Sequence, residues 1–113
     1  MDQQFDAYDL ASYVVAQLMT LNLRPSASAV ADMLEKQIIC PCCQKRAGKM
    51  ELALFRLRNG TFEIRHEACM RRLEPGIERG NQAPLNDPPA QKYFLVLARE
   101  IAPQQQRLVM APA

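Results

Sequence analysis

The sequence has no tryptophan and a single histidine, His66, and none of its apolar runs approaches the ~18–20 residues that a membrane span needs. The missing tryptophan removes the best platform for stacking unpaired bases. The lone histidine leaves no second imidazole for acid–base chemistry. The start, Met-Asp-Gln-Gln-Phe-Asp, has neither the basic residues nor the continuous apolar segment of a secretory signal, which predicts a cytoplasmic, reducing setting and no membrane contact. Cysteine is scarce as well. There are four, and three of them crowd into Cys40-Pro41-Cys42-Cys43. A disulfide framework would spread its cysteines along the chain, whereas clustered cysteines in a reducing compartment point to metal ligation.

What remains is ordinary for a globular domain: 113 residues, 49% of them hydrophobic and 23% charged. One domain is expected, of α+β class. Residues 1–39 form a helical pair. From about Asp6 to Met19, Leu10, Ala11, Val14, Val15, Leu18 and Met19 recur at helical spacing. Thr20–Pro25 breaks that helix, and Ser26 caps a second one over Ala27–Gln37 with Val30, Leu34 and Ile38 inward.

A β-hairpin follows, with Lys49–Arg58 and Thr61–Arg65 joined by Asn59-Gly60. A two-residue Asn-Gly loop sets Phe55 opposite Ile64, Leu57 opposite Phe62 and Arg56 opposite Glu63. Phe55, Leu57, Phe62 and Ile64 then share one face, with Arg56, Arg58 and Glu63 on the other. His66 to about Leu73 should be a short helix, stopped by Pro75-Gly76. Residues 76–87 read as a loop. Asp87-Pro88-Pro89 starts a C-terminal helix over 88–102 that buries Phe94, Leu95, Leu97, Ala98 and Ile101. Pro103 ends it, leaving 103–113 as a frayed tail.

Cys40 and Cys43 form a C-x2-C pair, and His66 and Cys69 form an H-x2-C pair, with 22 residues between the pairs. Tetrahedral zinc takes four ligands of these kinds. Residues three apart can reach one ion from a tight turn, or from one face of a helix. The start of a helix also favours the Cys69 thiolate. Cys42 is left out, because a C-x-C chelate is less common. The order of a Cys-Pro-x-Cys turn, a hairpin, and a helix whose first turn supplies two ligands resembles treble-clef zinc fingers over about residues 38–75, with the finger itself at 40–75. The resemblance implies one structural Zn2+. It departs at Gln44, where such knuckles often carry glycine.

Four protein ligands leave no position for a reacting water. The deaminase order, H-x-E before P-C-x-x-C, is absent, as are G-x-S-x-G and a phosphate-binding glycine loop. The expectation is therefore no catalytic residues, no enzyme and no small-molecule substrate.

Charge is divided along the chain. Residues 1–39 carry two basic and five acidic side chains, and residues 40–80 carry nine basic and five acidic. Lys45, Arg46, Lys49, Arg56, Arg58, Arg65, Arg71 and Arg72 lie on or beside the finger. Phosphate neutralisation by such residues supplies most non-specific nucleic-acid affinity, so a regulator that binds nucleic acid is the first expectation. Leu23-Arg24-Pro25-Ser26 leading into Ala27–Leu34 also resembles the start of a recognition helix in some plasmid and phage regulators. That segment offers no basic or amide side chain between Ala27 and Asp32 with which to read bases. The alternative is a protein-interaction module or homodimer, with Met19, Leu21 and Leu23 as the exposed apolar contact.

Overall fold

A computed structural model describes residues 4–109, and of 105–109 the backbone alone. The chain runs α1 (Ala7–Thr20), α2 (Ala27–Gln37), β1 (Leu52–Arg56), β2 (Phe62–His66), a 3-10 helix (Glu67–Arg72), β3 (Asn81–Ala83) and α3 (Ala90–Val109). The class is α+β, and among the described residues no helix is long and apolar enough to cross a membrane.

Both N-terminal helices begin where their capping residues stand. Asp6 accepts from the Asp9 backbone N–H, and the Asp9 side chain accepts from that of Asp6, which closes a capping box at α1. Ser26 caps α2 through the Ala29 N–H. From α1, Leu10, Ala11, Val14 and Leu18 are buried, and Val30, Ala31 and Leu34 meet them from α2. Phe94, Leu97, Ala98 and Ile101 of α3 complete this helical layer. It packs on one face of the sheet, through Leu52, Leu54 and Ile64. The face opposite is covered by the finger: Ala53 and Phe55 pack with Met70, Cys42 and Leu73.

The sheet order is β2-β1-β3, antiparallel throughout. Its hairpin register differs by one residue from the sequence expectation. Leu54 faces Ile64, Phe55 faces Glu63 and Arg56 faces Phe62. The loop has three residues rather than two. Leu57 N–H donates to Thr61 O, and Gly60 N–H donates to Leu57 O with Gly60 at φ +86°. Asn59 keeps negative φ and accepts from the backbone and hydroxyl of Thr61. A turn followed by a left-handed glycine is the other common hairpin closure. One residue of slip exchanges partners across faces, so Phe55 lies on the face opposite to Phe62 and Ile64.

Three further expectations change. Residues 76–87 are not all loop, because β3 pairs with β1 through Leu54–Ala83 and Arg56–Asn81. Asn81-Gln82-Ala83 has no apolar alternation, and backbone bonds to β1 with the single buried Ala83 place it. Next, α3 continues through Pro103 to Val109: proline suits helical φ and removes a single hydrogen bond. Only residues 110–113 of the expected frayed tail lie outside the described residues. Third, Leu23 is buried and Leu21 half-buried against the core, leaving Met19 as the exposed member of that trio.

Candidate metal centre

The first ligand pair sits in a knuckle that closes on itself. Cys40 N–H donates to Lys45 O, Gln44 N–H to Cys40 O, and Ala47 N–H to Ile38 O. This tight return needs a left-handed residue, and Gln44 takes that role at φ +63°. The departure from glycine noted in the sequence thus falls on the one strained position of the knuckle. An L-residue there costs roughly 1–2 kcal/mol, of which glycine's greater unfolded-state freedom returns part. Gln44→Gly is expected to stabilise the protein by about 0.5 kcal/mol, a rise of a few degrees in thermal midpoint. An unchanged or lower midpoint would show that the knuckle is unstrained.

The second pair straddles the end of β2. His66 is its last residue, and Cys69 lies in the 3-10 helix that follows. One ligand atom from each of Cys40, Cys43, His66 and Cys69 falls within 4.8 Å of the others. Cys43 Sγ lies 3.2 Å and Cys69 Sγ 3.8 Å from His66 Nδ1. Bonds of about 2.0–2.3 Å to one ion hold tetrahedral ligand atoms about 3.6–3.8 Å apart, so small side-chain rotations bring all four onto one metal.

The imidazole is oriented for this. His66 Nε2 lies 3.0 Å from the buried Ala47 carbonyl. A carbonyl only accepts, so Nε2 carries the proton and Nδ1 keeps its lone pair for the sulfurs. Such an outer partner is the usual companion of a metal-bound histidine. The His66 backbone N–H meanwhile donates to Cys40 Sγ at 3.3 Å.

The sulfurs are unequal. Burial pushes the Cys40 thiol up, but N–H groups of His66, Cys43 and Cys42 outweigh it and bring Cys40 down to about 7. Burial, followed by the hydrogen bond its thiol donates to Cys43 and the charge on Cys40, pushes Cys69 up to about 12. The expected lowering of Cys69 by a helix start is therefore not met. Crowded sulfurs resist ionising together unless a cation compensates them. Cys42 is raised too, first by burial and then by Cys40, and it packs on the Ala53–Phe55 cluster. The four-residue set can hold one metal ion with Cys42 outside it.

The expected basic residues divide. Lys45, Arg46, Lys49, Arg56, Arg58, Arg71 and Arg72 are exposed. Of these, Lys49 lies 3.5 Å from Glu35 and Arg71 lies 3.6 Å from Glu67. Arg65 is a correction: it is 1% exposed and cannot touch a ligand in solvent. Its guanidinium donates to Glu63 Oε1, Glu78 O and Arg79 O, and lies 5.1 Å above the Phe55 ring. Because the finger covers the second sheet face, a position that alternation marks as outward is inside. Arg79, which lies outside the finger segment and is not among the expected basic residues, sits beside Arg56 and Arg58 in one surface cleft.

Comparison with protein families, curated proteins and solved structures finds no match for this chain, so the metal centre is defined by its own donor atoms and their geometry.

Proposed function

We propose that this chain is a non-enzymatic zinc protein whose treble-clef-like finger binds nucleic acid through its basic surface. The metal part is carried by the His66 arrangement, with Nε2 committed to Ala47 O and Nδ1 turned toward sulfur. Three thiolates and one imidazole in a tetrahedral set suit zinc. With all four positions taken by protein, a bound Zn2+ supplies cross-linking rather than a reactive water.

The nucleic-acid part is supported by the unpaired cations. Lys45, Arg46, Arg56, Arg58 and Arg72 are exposed, and among the described residues none has a carboxylate within 4.0 Å. Such charges are free to replace counterions on phosphates.

Metal analysis of the purified protein is expected to find about one zinc per chain. A labelled duplex should bind with affinity that falls roughly a hundredfold or more between 50 and 200 mM salt, for four to five phosphate contacts. Binding that ignores salt would sink the electrostatic version. No binding at all would transfer the argument to a protein partner, for which the apolar cleft of Phe62, Pro89, Tyr93 and the exposed Val96 is the best surface.

A further inference from the structure

At the far end of the sheet from the metal ligands, β1 runs out into the hairpin loop beside the start of β3. Arg56 and Arg58 meet Arg79 there in a cleft of about 240 Å³, shared with Glu78, Gly80 and Asn81. None of the three guanidinium groups has a carboxylate within 4.0 Å among the described residues. Three guanidinium groups against the single carboxylate of Glu78 leave the pocket net positive.

The cleft is built rather than incidental. Arg65, buried under the sheet, donates to Glu78 O at 2.7 Å and Arg79 O at 2.9 Å, which fixes the backbone that carries Arg79. Gly80 follows at φ +70°, and a Cβ there would come within 3.1 Å of Arg56 O. That close approach brings the Arg79 segment against β1, where Arg56 pairs with Asn81. The acid in the cleft is otherwise engaged: Glu78 Oε2 accepts the Arg58 backbone N–H at 2.7 Å. Arginine forks match phosphate oxygens in geometry as well as charge.

We propose that this cleft is the phosphate subsite of the finger and takes a phosphodiester group of a nucleic-acid backbone. The proposal rests on the nucleic-acid reading above and adds Arg79, which lies outside the finger, to its contacts. It separates the cleft from Lys45, Arg46 and Arg72 on the knuckle and the 3-10 helix.

The test is anisotropy titration of the zinc-loaded protein with a mixed-sequence 20-base-pair DNA duplex and with a 20-nucleotide single-stranded RNA. Arg56→Ala, Arg58→Ala and Arg79→Ala are each expected to weaken binding about five- to tenfold and to lower the salt slope by about one. Lys36→Ala removes an equal charge from exposed α2 and is expected to change little. Retained zinc and melting behaviour show that the variants are folded. Arginine variants that bind like the parent, or a Lys36→Ala loss of equal size, overturn the cleft while leaving nucleic-acid binding intact. A parent protein that binds neither probe overturns both. The duplex and RNA arms show which backbone the cleft takes.

Discussion

Cys69→Ser is expected to lose zinc and to lower stability by at least about 4 kcal/mol, roughly 15 °C or more in thermal midpoint. The size follows from how little else holds the finger. Its own buried cluster is Ala53, Phe55 and Met70. Each large apolar side chain contributes only about 1.5–3 kcal/mol on burial. Ordering the backbone of residues 38–75 costs roughly 1–2 kcal/mol per residue. The hairpin recovers part of that by contributing Leu52, Leu54 and Ile64 to the main core. The knuckle adds only Ile38 and Ala47 to that core and the 3-10 helix adds nothing to it, and a structural zinc is worth about 10–16 kcal/mol in small fingers. Total stability of a domain this size is about 5–15 kcal/mol. Removing one ligand is therefore a large fraction of the whole. Cys43→Ser and chelation should act alike, and lower pH should ease metal release because protons compete for thiolates. Cys42→Ser is the control: that side chain packs against the Ala53, Phe55 and Met70 cluster and the protein should keep its metal. A zinc-replete, normally melting Cys69→Ser protein, or zinc loss in Cys42→Ser, would place the ion elsewhere.

The clustering of Cys40, Cys43, His66 and Cys69 was legible because their spacing is one that metal chelation favours and core packing does not require. Two pairs three residues apart, with a hairpin between, constrain one another in a way buried thiols need not. Helix starts were legible for the same local reason: Asp6, Asp9 and Ser26 act on the backbone within three residues. The errors share a different cause. Asn59-Gly60 fits two loop closures that differ by one residue, and both satisfy the glycine. Alternation within each strand is identical in the two cases, and only cross-strand partners tell them apart. β3 is held by backbone bonds to β1, which leave no mark on side-chain pattern. The same blindness hid Arg79 and its cleft, since proximity to Arg56 depends on that pairing. Arg65 was misplaced because a charge at an alternating position reads as outward when only one face of a sheet is assumed to be covered.

Arg65→Ala is the corresponding test of that second face, with an expected loss of about 3–5 kcal/mol. The guanidinium has every donor nitrogen occupied. Nε lies 2.9 Å from Glu63 Oε1, Nη1 donates to Arg79 O at 2.9 Å, and Nη2 lies 2.7 Å from Glu78 O and 2.9 Å from Glu63 Oε1. Met70 Sδ is 3.5 Å from Nη1, and the Phe55 ring lies on one side. Among the described residues no buried side-chain polar atom lacks a partner, so the group is stable as it stands. Truncation leaves two backbone carbonyls without donors, at about 1–3 kcal/mol each if they stay buried, and opens a cavity against Phe55. Arg65→Lys retains the charge but cannot serve both carbonyls and Glu63 at once, so an intermediate loss is expected. Arg65→Met restores apolar volume and should cost less than alanine. The local consequence separates this from general destabilisation. Amides of residues 78–83 should lose hydrogen-exchange protection in all three variants, while zinc stays bound, because none of the four ligand side chains bonds to the Arg65 guanidinium. Arg65→Ala within about 0.5 kcal/mol of the parent, or unchanged protection at β3, would mean that the strand holds itself and the arginine merely fills space.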